Sequence, residues 1–503
     1  MNFSKSKYCE FCQCPKMTWL RKNKPDVFVT DEDALGKFET GNQIGDLAMR
    51  YFGNFVEVTA YKNDKPDLIQ MIKNTKSEIE KNTPVICEAS FDFNGLYCAV
   101  DILCREKEGW SIYEVKSSVK ADKDVYMLDV AYQKYVLEHC GIHVTGVYLM
   151  CIDNTYIFDG TLDLHKFFKI TDVSDKVAEK MPDIEQNLKL AEKILADENE
   201  PDIDIGLQCS NPYQCGFWNY CTRNLPQPNV FHLYNMKKQK MFDFYHRGIV
   251  SYDALKKDNF VGSQVQELQI EYSLHEKELH VDRENLRGFL SSLSYPLYFL
   301  DFESVQPAVP KYAGTKPYAQ IPFQYSLHYI ETEGGELKHK EFLAEAGTDP
   351  RRDVAENLCR DIPENVTILA YNMTFECSRL KELAKFFPDL SAHLLNMAEN
   401  IKDLVVPFRK GWYYNSRMGI SNNKTSIFSI KNVLPAVFPD DPELDYHNLE
   451  GIQNGADAMT VFPAMEKMSP EEQAETRKNL LKYCGLDTLA MVRLWQALTK
   501  AAE

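Results

Sequence analysis

Apolar and polar positions alternate most clearly in two runs, residues 96–104 and 110–115, on either side of the polar tetrad Glu106-Lys107-Glu108-Gly109. That pattern predicts a β-hairpin with the tetrad as its turn. In this register Asp101 and Glu114 stand opposite each other, and Lys116 shares the face of Glu114 because side chains two apart along a strand point the same way. Residues 85–89 predict a further strand whose Glu88 lies beside the hairpin. Residues 41–52 read as a helix packed on its small side chains. Residues 124–140 read as a second helix, carrying Gln133 and Tyr135 and ending at Gly141, and 144–152 as a buried strand.

Further along, residues 224–294 turn to charged, helix-favouring sequence, with helices expected over 236–246, 253–257 and 265–290 and a break at 248–252. A small helical connector is the expected form. The strand over 296–303 then places Asp301 and Glu303 on one face. Residues 321–329 predict another strand, and 366–376 a buried strand running into a helix that holds Glu376. The last helix is announced by Ser469 as N-cap, Pro470 at the first helical position and Glu472 three residues on, a capping box. Tyr483 and Asp487 share one face of its continuation. Gly485 between them costs about 1 kcal/mol in a helix interior, which implies close approach by substrate or backbone. Residues 426–431 read as a strand or turn, with Lys431 either a surface lysine or a phosphate contact, and Asp403 as either another active-site carboxylate or an aspartate at the start of a strand.

The chain has 503 residues, more than one ordinary domain of roughly 100–200 residues, so about three units are expected. Its balance of 44% apolar and 26% charged residues is that of a folded, soluble protein. A net charge of −17 excludes a non-specific nucleic-acid coat protein, which would depend on clustered Lys and Arg. It leaves room for carboxylate metal sites and a local basic groove. With no apolar leader segment and no run of 18 apolar residues, a cytoplasmic protein without membrane association is expected.

Fourteen cysteines in a reducing compartment are then metal ligands or core residues rather than disulfides. Cys9, Cys12 and Cys14 cluster near the start, while Cys209, Cys215 and Cys221 follow one another with five residues between each pair. One N-terminal cysteine plus the triplet supplies the four thiolates of a [4Fe-4S] cluster. Buried thiols, or a tetrahedral zinc site using Cys9 and Cys12, are the competing readings.

Glu88, Asp101, Glu114-Val115-Lys116, Gln133 and the cysteines Cys14, Cys209, Cys215 and Cys221 together resemble the PD-(D/E)xK nuclease superfamily in its RecB-like, iron–sulfur branch, over residues 1–225. The resemblance implies a restriction-endonuclease-like fold in which Glu88, Asp101 and Glu114 hold one or two Mg²⁺ or Mn²⁺ ions. Lys116 would then orient the attacking water or stabilise the developing charge, and Gln133 would contact a phosphate or base. It also implies that Cys14-Pro15, as a Cys-Pro near the N-terminus, supplies the first cluster ligand. Many relatives carry a metal-binding histidine on the first helix where this chain has Gly45 and Asp46, so either Glu88 substitutes for it or that ligand is missing.

The Asp-x-Glu of Asp301 and Glu303, the strand end Asn372-x-x-Phe375-Glu376 and the Tyr483-x-x-x-Asp487 helix resemble the DEDD family of 3′ to 5′ exonucleases, tyrosine subtype, over residues 295–503. This implies a ribonuclease H-like fold. Asp301, Glu303, Glu376 and Asp487 would bind two metal ions and Tyr483 would position water. Glu376 departs from the aspartate of most relatives. The arrangement as a whole is similar to a family of uncharacterised bacterial proteins that fuse the two modules. The expectation is an α/β protein of two mixed-sheet nuclease domains, 1–225 and 295–503, joined by a helical connector over 226–294. Its expected activity is that of a metal-dependent DNA exonuclease in repair, processing or antiphage defence. The substrate would be single strands or duplex ends, with RNA as an alternative substrate and protein partners or a homo-oligomer as further associations. The competing expectation is a non-catalytic or singly active nucleic-acid-binding subunit of a larger assembly.

Overall fold

The computed structural model describes residues 3–30, 34–420 and 426–503. It is a mixed α/β protein in two compact units, one of Met1–Asn224 with Pro307–Tyr318, the other of Leu225–Gln306 with Ala319–Glu503. Among the described residues no helix is long and apolar enough to cross a membrane.

The first unit is organised on an antiparallel meander of Val85–Phe93, Leu96–Arg105 and Trp110–Lys116. Asn94 and Gly95 join the first two strands, both in the left-handed region with φ of 53° and 83°. That geometry follows the natural twist of a two-residue hairpin, and Asn-Gly is the pair that adopts it most readily. The second hairpin closes with the Glu106 N–H donating to the Gly109 carbonyl at 2.8 Å. Ile102 pairs with Tyr113 and Leu103 with Ile112, the register read from the sequence.

Helix Asp124–His139 then crosses to Val144–Ile152, which runs parallel to Trp110–Lys116, and Phe168–Asp172 pairs antiparallel beyond it. Val130, Ala131, Val136 and Leu137 of that helix cover one face of the sheet, while Ile44 and Ala48 of helix Ala34–Met49 cover the other. With both faces buried, these strands read as nearly continuous apolar runs.

The second unit holds a five-stranded sheet in the order Leu337–Leu343, Ile321–Ile330, Leu297–Val305, Thr367–Ala370, Ile401–Asp403. The first three strands are antiparallel and the last two run parallel to Leu297–Val305. Tyr298, Leu300 and Phe302 face a core shared with helices Arg351–Asp361, Thr374–Phe386 and Ser391–Asn400. Phe299 points the other way, onto Trp495 of the closing helix Pro470–Ala502, with ring centroids 5.8 Å apart. The expected capping box is present at the start of that helix: the Ser469 side chain accepts from the Glu472 N–H, and Glu472 accepts from the Ser469 N–H.

Residues 226–294 lie within this second unit. The helix expected over 265–290 is interrupted. Helices Gln264–Leu274 and Arg283–Leu290 flank a strand, Leu279–Val281, that pairs with Tyr413–Asn415.

Candidate active sites and the thiol cluster

In the first unit Asp101 Oδ2 accepts the backbone N–H of Val115 at 2.7 Å, which holds its carboxyl group beside Glu114. Glu88 stands in register with Asp101 but is skipped by the pairing, and its φ of 56° is left-handed. A bulky residue in that region costs about 1–3 kcal/mol, and such strain persists where the surroundings impose it. The apolar residues change faces at the same level. Cys98 and Val100 belong to one core cluster together with Leu103, whereas Ile102 and Cys104 belong to the other. The break in the pleat redirects Glu88 and Asp101, a service irregular strand positions commonly perform beside functional sites.

Glu114 is almost fully buried, with 2% of its side chain exposed. Its Oε1 takes the Lys116 ammonium at 2.7 Å and its Oε2 takes the Gln133 amide at 2.7 Å. Gln133 is fully buried and also donates to Asp129 Oδ1 at 3.0 Å. Both amide N–H groups of Gln133 are thereby spent on carboxylates rather than pointed at open solvent. Burial, then repulsion from Asp101, pushes both Glu88 and Glu114 up to about 7. Lys116 is held charged against its burial by Glu114 and Asp129.

Two residues that the sequence reading missed complete this site. Lys5, first residue of helix Lys5–Gln13, places its ammonium 2.9 and 3.2 Å from the two oxygens of Glu114 and 3.6 Å from Asp101 Oδ1. Asp129, one turn before Gln133 on the same helix, meets Lys116 at 2.7 Å. Spacing of four along helix 124–139 was the available signal for Asp129. Nothing in the local pattern marks Lys5. Asp46 is exposed. Glu88, Asp101 and Glu114 are a hard oxygen donor set that suits Mg²⁺ or Mn²⁺.

Cys14, Cys215 and Cys221 pack against one apolar cluster of Met17, Trp19, Leu20 and Phe217. Cys209 joins them through its carbonyl, which accepts the Cys215 N–H at 2.8 Å. The Gln13 amide ties the N-terminal helix to this loop, donating to the carbonyls of Gln208 at 2.8 Å and Tyr213 at 2.7 Å. Gly216 must lack a side chain, because the Phe28 ring fills the place of a Cβ. Burial, reinforced by the neighbouring thiols, raises Cys209 to about 12 and Cys215 to about 11. The four thiols share one neighbourhood, and sulfur donors are those that a soft metal or an iron–sulfur group takes. Cys9 and Cys12 are directed elsewhere, toward the Val125 carbonyl and the Asn187 amide.

In the second unit Asp301 and Glu303 share a face of the central strand, and a register shift follows Glu303, where Pro322 enters the neighbouring strand. Their carboxyl oxygens and the Cys484 sulfur all lie within 4.8 Å of one another. Glu376 sits in the first turn of helix Thr374–Phe386, 3% exposed, with Oε2 buried and without a hydrogen-bond partner among the described residues. Asp487 is buried too, and its Oδ1 accepts the Tyr446 hydroxyl at 2.6 Å. Burial and mutual repulsion push Asp301 well above the usual carboxylate range. Glu303 rises to about 8 through burial and Asp487, Glu376 to about 8 through burial and Asp403, and Asp487 to about 6 through burial. Buried acids that repel each other, one with an orphaned oxygen, are a donor set suited to divalent cations.

Tyr483 is buried beside these acids, which with burial raise its phenol far above the ordinary range. Residues 426–429 form a turn that caps helix Ile430–Val437 with Ser429, and the Lys431 ammonium lies 5.1 and 5.4 Å from the rings of Tyr446 and Tyr483. Burial pulls Lys431 below its usual value while Asp487 and Glu303 oppose the shift. Asp403 serves the backbone, accepting from Asn372 N at 2.8 Å and Val405 N at 3.1 Å. Among the described residues no backbone of another element comes close to Gly485, where a Cβ would meet the His339 ring at ordinary contact, 3.9 Å. Tyr446 was missed because it opens a three-residue helical turn, Tyr446–Asn448, too short to show a period.

Residues 298–422 match a family described as a domain of unknown function (DUF2779). That span includes Asp301, Glu303 and Glu376 and stops short of Tyr483 and Asp487. No curated protein and no solved structure matches the chain.

Proposed function

We propose that this protein is a metal-dependent nuclease, most simply a DNA exonuclease, with candidate sites for phosphodiester hydrolysis at Asp301, Glu303, Glu376 and Asp487 and at Glu88, Asp101, Glu114 and Lys116. The observation that carries the proposal is the convergence in the second unit of four largely buried carboxylates from three separate elements, with Glu376 Oε2 left without a donor among the described residues. Uncompensated burial of so much acid is costly unless cations share the site. Mg²⁺ or Mn²⁺ bound there supplies Lewis acidity and a water of lowered pKa. Tyr483 stands where a water-positioning hydroxyl is needed, and Lys431 offers positive charge at the rim. In the first unit Lys116, held charged by Glu114 and Asp129, is placed to stabilise charge developing on a phosphate. The thiols of Cys14, Cys209, Cys215 and Cys221 would hold a [4Fe-4S] cluster, fastening the N-terminal helix to the loop that follows residue 205.

Labelled single- and double-stranded DNA, with RNA in parallel, incubated with the full chain and Mg²⁺ or Mn²⁺ tests this reading. Metal-dependent shortening of the strand is expected, lost when Lys116→Ala and Asp487→Asn are combined. Cleavage unchanged in that double variant, or none under any condition, would falsify it.

A further inference from the structure

Lys5 sits where the N-terminal site has most need of positive charge. Its ammonium is 2.9 and 3.2 Å from the oxygens of Glu114 and 3.6 Å from Asp101 Oδ1, with 23% of the side chain exposed. The backbone beneath it is fixed from both sides. Phe3 and Ser4 pair in parallel with Leu96 and Tyr97, and the Phe3 carbonyl accepts the Tyr132 hydroxyl at 2.9 Å. The Ser4 side chain caps the helix that follows, and Tyr8 of that helix is buried, stacked on Tyr132 at 5.1 Å. Lys5 is therefore delivered into the site by anchored structure rather than reaching it from a free surface.

The acceptors divide accordingly. Glu114 is saturated by Lys5, Lys116 and Gln133, and Asp101 Oδ2 is taken by the Val115 N–H. Asp101 Oδ1, which Lys5 meets at 3.6 Å and so beyond hydrogen-bond distance, and the Glu88 carboxylate, which accepts no hydrogen bond from the described residues, can each still ligate an incoming cation. In two-ion sites the ions lie about 3.5–4 Å apart and share a carboxylate. Here the ammonium already bridges Asp101 and Glu114.

Building on the nuclease reading of this site, we propose that Lys5 is a built-in cation standing in for the second divalent ion, so that the N-terminal site takes a single ion, on Glu88 and Asp101. The compact ammonium balances charge without an open coordination position. One ion would then have to serve both to generate hydroxide and to polarise the phosphate, with Lys5 and Lys116 fixing the charge of the carboxylates around it.

The test is a count of bound Mn²⁺, by equilibrium titration and electron paramagnetic resonance, on the full chain carrying Asp301→Asn and Asp487→Asn so that the first site is read alone. One ion is expected with Lys5 present and with Lys5→Arg, and two exchange-coupled ions with Lys5→Met. Two ions in the chain with Lys5 intact would overturn the proposal and leave the nuclease reading standing. A count of one in Lys5→Met would do the same. Absence of Mn²⁺ from every form would overturn the proposal and the metal-site reading together. If Lys5→Met folds poorly, Lys5→Gln removes the same charge and supplies that count, with two ions expected and one ion overturning the proposal.

Discussion

The Tyr446 hydroxyl donates to Asp487 Oδ1 over 2.6 Å, a short bond made inside a buried cluster of acids. Hydrogen bonds to a charged acceptor contribute about 1.5–3 kcal/mol, and this one favours the ionised carboxylate against its burial. Losing an outer partner of a metal-binding carboxylate commonly weakens affinity 10- to 100-fold. Tyr446→Phe is therefore expected to lower Mn²⁺ affinity at the C-terminal site by about tenfold, read by calorimetry in a Lys116→Ala background. Unchanged or tighter binding would show that the phenol does not support the carboxylate.

Stability and metal affinity should both depend on pH, in opposite senses. Glu303 and Glu376 are pushed up to about 8 and Asp487 to about 6, whereas carboxylates in an unfolded chain titrate near 4. Below that lower value the groups are protonated in both states, and the folded state keeps its full advantage. As pH rises toward 8 the unfolded chain has released protons that the folded chain retains, so stability falls. The metal-free melting temperature is expected to drop between pH 5 and pH 8, and Glu303→Gln should flatten that slope. Because the cation competes with those protons, Mn²⁺ affinity should rise over the same interval. A metal-free protein that gains stability toward pH 8 relative to Glu303→Gln would contradict the weakened acidity of the cluster.

The four thiols give a prediction that needs no substrate. Cys14 lies at the end of helix Lys5–Gln13, and Gln13 already links that helix to the loop of Cys209 and Cys215. Anaerobically purified protein is expected to be brown, and Cys209→Ser or Cys215→Ser to lose the colour together with several degrees of melting temperature in the first unit. Cys9→Ser and Cys12→Ser should keep the colour, since those sulfurs face the Val125 carbonyl and Asn187. A colourless protein containing zinc would replace the cluster with a metal of the same ligand chemistry.

What was legible in the sequence follows a physical division. The hairpin register of Asp101 and Glu114, the strand carrying Asp301 and Glu303, and the capping box at Ser469 are fixed by neighbours a few residues away, so local periodicity and cap chemistry reveal them. Lys5 lies 109 residues from the glutamate it serves, and no local pattern records a contact made at that separation. Tyr446 reaches Asp487 from a three-residue helical turn, too short to show a period. The three-residue strand Leu279–Val281 has a partner more than 130 residues away and too few positions to show alternation. Glu88 was recognisable as a strand residue, but its left-handed backbone is imposed by the sheet rather than by its own preference.

Glu376 separates two views of the C-terminal site. If the glutamate were a degenerate replacement, shortening it to aspartate would repair the site. The structure points the other way. Glu376 sits in the first turn of its helix, its carboxylate weakens Asp301 and Glu303 as acids, and Oε2 is buried without a donor among the described residues. The surrounding acids are thus arranged around the longer side chain. Glu376→Asp would withdraw the carboxylate by about one methylene, and a misplacement near 1 Å can cost about 100-fold in rate. We expect Glu376→Asp to lose about 10- to 100-fold in the Tyr483-dependent part of the nuclease activity, with a matching fall in Mn²⁺ affinity and little change in melting temperature at pH 6. A gain of activity on that substitution would mean that the native site is poorly assembled, and that hydrolysis by this chain belongs to the site of Asp101, Glu114 and Lys116.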